Sequence, residues 1–572
     1  MVFLKRPRNV TSARAAAMLY GDWGTSKAYV TGIAFALAGY SSFYLILAMA
    51  TLTAIVGINY IWICKYYPDG GGVYSSVRHR SRTLAVIGAL LLTADYVVTA
   101  SLSSLDAFHY LELEHPAWWA IGSLLLLGLL NIFGPRHSGG VAIFLAVPTV
   151  LTVAILVGFA FPHLRFVHLE PPQGGILGNW FNFVGIVLAL SGVEAIANMT
   201  GVMKLDPGST EDNPCVYKTA RRAILPVLLE VTLFTTALGL AMHAVPNLSD
   251  HTEDMLRYLG EYYVGEHFAG VVSMVFALLL LSACNTAIVD LIAIFYMMST
   301  DGEMPQIFRQ LNRYGVPWAP LLVATGLPIL VLLIEHDLTR LAALYAIGVV
   351  GAITINLGAC STNLRLNLSK LERTVMFITF VLMILIETTI AYEKRNALTF
   401  AVSILGVGLG LRAGAKTYEK RRKEAIVTPA IVPGVISRKP ATSILVAVRG
   451  VTDTLRFAIE EARFRQAILY VLFVKEIAVP VLSTETPSGI DKEAQHIFAT
   501  TQALSQGVKI VPLYAVSNAP AEVILDQAAT LGVDYLILGG SVRSKLIKAL
   551  KGDVIDQVAR QLPEEIKLII YG

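Results

Sequence analysis

The chain has 572 residues, of which 55% are hydrophobic and only 15% charged, and its net charge is +4. A soluble domain carries about 25% charged residues, so this composition excludes a soluble enzyme and fits a polytopic membrane protein with length left for a further domain. Four scattered cysteines, Cys64, Cys215, Cys284 and Cys360, make neither a CxxC pair nor a zinc spacing, which argues against a metal centre of that kind and against a disulfide framework.

The N-terminus is basic and lacks a processing site, so no cleavable signal peptide is expected. Stretches of about 20 apolar residues match a bilayer core of about 30 Å. Twelve are expected, near 21–39, 41–66, 83–107, 116–134, 139–161, 177–203, 222–246, 264–299, 317–336, 338–360, 371–391 and 396–414. The charged, amphipathic stretch 249–262 reads as an interfacial helix. Lysine and arginine gather in the N-terminus, in loops 2–3, 6–7 and 10–11, and after span 12, while the alternate loops are poor in both. By the positive-inside rule both termini are cytoplasmic, which agrees with an even span count.

From about residue 440 the pattern changes. Short apolar runs at 443–448, 467–474, 509–516, 534–540 and 567–571 read as strands, and 454–463 and 521–531 as helices. Strands alternating with helices imply a parallel sheet with crossovers. The expected organisation is a cytoplasmic N-terminal segment over 1–20, a transmembrane transport domain over 21–414, a linker over 415–440 and a cytoplasmic α/β domain over 441–572.

The polar residues inside the spans carry the chemistry. Span 1 opens with Gly21-Asp22-Trp23-Gly24-Thr25-Ser26-Lys27-Ala28-Tyr29. Glycines loosen a helix by roughly 1 kcal/mol each relative to alanine, and a carboxylate in lipid is costly enough to be kept for a purpose. Five spans later, the run Ser191-Gly192-Val193-Glu194 repeats the combination of glycine, hydroxyl and carboxylate. That separation suits two inverted five-span repeats whose first spans are broken at the midplane. Span 3 adds Asp95-Tyr96, Thr99 and Ser103; Asp95, Thr99 and Ser103 recur every four residues and share one helix face. Such a stripe should face the bundle interior. Tyr345 in span 10 offers a phenol from the second repeat.

Potassium suits several neutral oxygens with few full charges. The oxygens of Thr25, Tyr29, Tyr96, Thr99, Ser103, Ser191 and Tyr345, with freed carbonyls, form such a shell, and Asp22, Asp95 and Glu194 compensate its charge. A carboxyl there could exchange a proton as the cation arrives or leaves, with Glu194, Asp95 and Asp22 as candidates in that order. Taken singly, these residues also have plainer roles. Thr99 or Ser103 would bond helix carbonyls, Tyr29 and Tyr345 would pack, Asp22 would cap span 1, and Asp95 would pair with Lys27. Glu230 and Asp290 read as structural, and Glu387 as a helix-contact residue.

Tyr20-Gly21-Asp22-Trp23-Gly24-Thr25-Ser26 resembles the span-1 signature of the KUP potassium transporters, and Asp22…Tyr29, Asp95-Tyr96…Thr99…Ser103, the span-6 run and the soluble tail resemble the KimA-type branch of that family more closely. The resemblance covers essentially the whole chain. It implies a LeuT-type 5+5 inverted repeat with two extra spans, in the amino acid–polyamine–organocation (APC) superfamily. It also implies K⁺/H⁺ symport in a bacterial plasma membrane, a homodimer through the cytoplasmic domains, and regulation by cyclic di-AMP bound there. Lys27 departs from the family's proline at that position. The tail resembles the universal-stress-protein fold, whose nucleotide loop would run through Gly539, Val542, Arg543 and Gly552-Asp553. The second glycine of that loop is lost, and an aspartate replaces the phosphate-binding hydroxyl. Arg543, Lys545, Lys548 and Lys551 are basic enough to meet phosphates, or form a solvated helix face. The rival reading is an amino acid/proton symporter of the same superfamily, which would need bare N–H groups where Asp22 stands. A sensor without transport would be expected to have lost its intramembrane carboxylates. No nucleophile–base pair or Walker loop points to an enzyme, and no nucleic-acid partner is expected.

Overall fold

The computed structural model describes residues 2–4, 8, 10–70, 72–134, 138–210, 213–423, 442–476, 492–505, 507–517, 519–540 and 554–571. Among these, eight helical segments are long and apolar enough to cross a membrane, or nine with one bent pair. The first segment, Ser12–Tyr66, is 55 residues long. At 1.5 Å per residue it has the length for two crossings. With it counted twice, and with the shorter apolar helices Pro116–Asn131 and Trp318–Ile334, the helices provide the twelve expected crossings.

Span 1 is built from two helices, Ser12–Trp23 and Ser26–Ala38. It begins at Ser12, nine residues before the apolar run suggests. The alanine-rich stretch before Gly21 is a good helix former, and the Thr11 hydroxyl accepts from the Arg14 N–H at its start. Asp22 therefore lies deep within span 1 and does not mark its mouth. Span 2 is Ser42–Tyr66, span 3 Arg82–Tyr110, span 4 Pro116–Asn131 and span 5 Ser138–Ala160. Span 6 runs from Gly175–Gly185 through Val187–Val202 with a bend of 48°. Spans 7 and 8 are Tyr217–Met242 and Glu266–Thr300, and between them the expected amphipathic helix forms at Met255–Tyr263. Spans 9 to 12 are Trp318–Ile334, Leu338–Ser361, Lys370–Glu393 and Arg395–Lys423. The last helix thus extends past 414 into the stretch read as linker, while 424–441 lie outside the described residues.

Span 3 is enclosed by spans 4, 8, 10 and 12, and nearly every residue from Ala85 to Tyr110 is buried. That enclosure is what lets a polar stripe exist within it, because lipid could not satisfy it.

The C-terminal domain is one parallel sheet in the order β1-β4-β3-β2-β5-β6. Strands β2 (Ser443–Val448), β3 (Ile468–Glu476), β4 (Ile510–Ser517), β5 (Tyr535–Gly539) and β6 (Lys567–Tyr571) follow the apolar runs. Ile444, Val446 and Val448 face a core with the helices Asp453–Phe464 and Lys492–Leu504. Leu445 faces a second core with Pro520–Leu531 and Val554–Gln561. Both faces are thus covered, as parallel strands require. Strand β1 (Val2–Leu4) comes from the other end of the chain and pairs with β4, Val2 opposite Leu513 and Leu4 opposite Ala515. Residues Val2–Leu4 of the expected cytoplasmic N-terminal segment therefore form an edge strand of the C-terminal sheet. Three residues carry too short a period to announce a strand without the edge that receives them.

Candidate functional site

The break in span 1 falls at Gly24-Thr25. The Gly24 N–H donates to the Tyr20 carbonyl at 2.8 Å and the Thr25 N–H to the Asp22 carbonyl at 3.1 Å. The Thr25 hydroxyl also donates to the Asp22 carbonyl, at 2.5 Å, and the Ser26 hydroxyl to the Trp23 carbonyl at 2.8 Å. The hydroxyls following Asp22 thus satisfy the helix end they interrupt, and the carbonyls expected to be free are partly engaged.

The break in span 6 lies against it. Gly192 has φ +94°, and a Cβ there would come within 2.7 Å of the Trp23 nitrogen and 3.2 Å of the Asp22 carbonyl carbon. Only glycine allows both that backbone conformation and that approach. Gly192→Ala should cost about 1–2 kcal/mol from the conformation alone, with the steric overlap in addition. The expected outcome is a lowered Tm in detergent together with lost transport. A variant that melts and transports like wild type would mean that the two breaks separate freely.

Spans 3 and 10 complete the surround. A Cβ on Gly348 would lie 2.6 Å from the Asp95 nitrogen, so span 10 packs directly on span 3 at that carboxylate. One turn earlier, the Tyr345 hydroxyl donates to the Ser191 hydroxyl and ties span 10 to the span-6 break. The Thr99 hydroxyl donates to the Asp95 carbonyl at 2.9 Å, the local bond that a helix-interior threonine commonly makes. Tyr96 points to the far half of span 6, where the Asn198 amide donates to its hydroxyl at 3.3 Å. Asp22, Thr25, Tyr29, Asp95, Tyr96, Thr99, Ser103, Ser191, Glu194 and Tyr345 are all buried. Tyr29 lies against Thr25 and within electrostatic reach of Asp22 and Asp95.

Both carboxylate oxygens of Asp95 and of Glu194 are buried without a hydrogen-bond partner. Asp22, Asp95 and Glu194 lie within one another's electrostatic reach. Asp290, from span 8, joins them. From its place in the sequence Asp290 reads as structural. Its single acidic signal in an otherwise apolar helix could not tell an inward from an outward position. Among the described residues no three or more His, Cys, Asp or Glu side chains converge in metal-ligating geometry. The carboxylates surround the two breaks and do not meet at one point.

Lys27 does not enter this group. Its ammonium is fully buried and pairs with Glu230 of span 7 at 2.8 Å, the Tyr20 hydroxyl donates to the same carboxylate at 3.0 Å, and the ammonium lies 4.9 Å from the Tyr20 ring centroid. The expected pairing of Asp95 with Lys27 is corrected by this pair. Glu230, which the sequence reads as structural, is the partner of that ammonium. Glu387 approaches Gly351 of span 10, where an added Cβ would come within 3.1 Å of its carboxylate.

On the face from which the chain starts, Arg8 donates to the carbonyls of Pro68 and Thr200 at 3.0 Å each and pairs with Asp69. Val10 bridges the end of span 6 through Val202 and Lys204. In the C-terminal domain, Gly539 ends β5 beside β2, and a Cβ there would meet the Thr454 hydroxyl at 2.8 Å. In open parallel sheets ligands bind outside the strand ends where the strand order reverses, and β2 and β5 form that pair here. Arg543 and Gly552 lie outside the described residues, as do Val542, Lys545, Lys548 and Lys551.

A family model for amino acid permeases matches residues 12–408, and one for the universal stress protein family matches 441–565. The chain is 24% identical over 242 residues to a probable threonine/serine transporter, YbxG, of Bacillus subtilis (strain 168), covering 38% of this chain and 49% of that protein. It is 27% identical over 166 residues to a probable amino-acid permease, PB1C11.02, of Schizosaccharomyces pombe, covering 28% of this chain and 31% of that protein. The chain spans about half the length of the first relative and about a third of the second.

Proposed function

The chain belongs to the amino acid permease family, a family of membrane transporters and not of enzymes, and from that premise we propose that it imports potassium coupled to protons. The observation that carries this reading is the set of buried carboxylates Asp22, Asp95 and Glu194 around two touching helix breaks, with the half-buried Asp290 beside them and the buried ammonium of Lys27 held by Glu230. Unpaired buried carboxylates cost several kcal/mol each. They are stable there when protonated or when a cation is among them, and exchange between those two states is proton coupling. The hydroxyls of Thr25, Tyr29, Tyr96, Thr99, Ser103, Ser191 and Tyr345 supply neutral oxygens around them, and Glu194 is the first candidate for the transported proton. The span-1 and span-3 runs that resemble the KimA-type members of the KUP family support the same cargo.

Amino acid/proton symport is the second reading, and the relatives favour it. The two transporters named above carry amino-acid names, and the family model is that of amino acid permeases. It asks more of the site. The Gly24 and Thr25 N–H groups are already donated to helix carbonyls, and an α-carboxylate would enter beside acidic groups that must first take up protons.

We place the protein in a bacterial plasma membrane with both termini cytoplasmic. Basic loops and the shared sheet of β1 and β4 support this. Cyclic di-AMP bound near Gly539 at a homodimer interface is the proposed regulation. The test is growth of a bacterium without potassium uptake of its own on micromolar-scale potassium, beside threonine counterflow in the same membranes. Growth with wild type and none with Asp22→Asn is the expected result. Threonine counterflow without potassium-dependent growth would establish the second reading instead.

A further inference from the structure

Asp106 has no part in the site above. It is fully buried, and neither carboxylate oxygen has a hydrogen-bond partner. It lies on span 3, 11 residues beyond Asp95. Eleven residues are three helical turns, so the two carboxylates share a face about 16 Å apart. Between them on that face stand Thr99 and Ser103, both buried. One turn beyond Asp106 comes His109, whose Nδ1 lies 3.2 Å from the Glu253 carboxylate. Glu253 is 58% exposed, and the hydrogen bond from His109 holds its carboxyl below the ordinary carboxylate range.

Asp95, Thr99, Ser103, Asp106 and His109 thus follow one another at intervals of four, four, three and three residues. These are the intervals at which helix side chains are neighbours. Each of the five both accepts and donates protons in one of its states. The charged and titratable groups facing Asp106 are Tyr29 from span 1, Tyr110 and His109 from its own helix, and Glu253 from the segment between spans 7 and 8. Asp254 of that segment stands within reach of His109. The column therefore runs from solvent at Glu253 to the central carboxylates, with Tyr29 facing both ends of its buried part.

We propose that Asp106 is a relay carboxyl through which protons pass between the outer face and the central site. Its carboxylate takes a proton from the His109 imidazolium and becomes neutral. It then gives that proton through the Ser103 and Thr99 hydroxyls to Asp95, and becomes anionic again. No electron or other co-reactant is needed. The orientation and the proton coupling rest on the reading in the preceding subsection.

Two measurements on the full chain in proteoliposomes test this. Infrared difference spectra between about pH 9 and about pH 5 should contain the carbonyl stretch of a protonating buried carboxyl that Asp106→Asn removes. Identical spectra would overturn the assignment, and this arm needs no transported substrate. In the second, Asp106→Asn should keep potassium–rubidium exchange at equal pH while proton-driven accumulation falls about 100-fold. Asp106→Glu, which retains a titrating group, should restore accumulation. Loss of exchange and accumulation together, or undiminished accumulation, would each overturn the relay. If wild type exchanges threonine and not potassium, the potassium reading falls, and the same comparison run with threonine decides the role of Asp106.

Discussion

Glu194→Gln should abolish proton-driven uptake while the protein remains folded and melts at or above the wild-type temperature. The two effects have one cause. Both Glu194 oxygens are buried without partners, in reach of Asp22 and Asp290. Glutamine keeps the shape and carries no charge, so it removes the repulsion that the ionised carboxylate has with Asp22 and Asp290. Desolvation of its amide costs about 1–3 kcal/mol, which the relieved repulsion offsets. The transported cation, however, loses a charge-assisted contact worth about 1.5–3 kcal/mol, or about 10- to 100-fold in affinity, and the site loses a proton carrier. Rubidium uptake and a detergent melt read both quantities on one preparation. Undiminished uptake would remove Glu194 from the mechanism, and a collapsed melt would make it a structural residue.

The second large effect is expected at Lys27. Lys27→Met leaves Glu230, whose side chain is only 12% exposed, without its ammonium. Removing one partner of a buried ion pair costs about 3–5 kcal/mol. The single variant should therefore be poorly expressed or melt far below wild type. Replacing both partners, Lys27→Met with Glu230→Leu, should recover most of the loss, because an apolar pair avoids desolvating two charges. The double variant should also transport, since the pair faces span 7 and stands apart from the central carboxylates. A double variant that folds and does not transport would place the pair within the transport cycle.

Much of the site was legible in the residues themselves. Glycine beside a carboxylate in spans 1 and 6, and hydroxyls every four residues from Asp95, are local patterns with local causes, and they fall on neighbouring helices. Asp290 and Asp106 were not legible in this way. Asp290 is a lone acid in the interior of an apolar helix and Asp106 shares span 3 with Asp95, and the significance of each depends on which helices lie opposite. Asp106 continues the Asp95 stripe, but by steps of three after steps of four, so a search at a fixed interval ends at Ser103. The Lys27–Glu230 pair joins residues 203 positions apart, and no spacing rule connects them.

Chain chemistry alone determined that the protein is a helical membrane transporter with a parallel α/β domain behind it. Hydrophobic length, basic loops and strand–helix alternation act through solvent transfer and backbone hydrogen bonding, which each segment feels by itself. Packing decided the rest: that Gly192 lies on the Asp22–Trp23 backbone, that Lys27 turns away from the acids, and that the first strand closes onto the last domain. Those outcomes depend on which surfaces meet. Contact energies and the fields of buried charges act across short distances in space, whatever the separation along the chain.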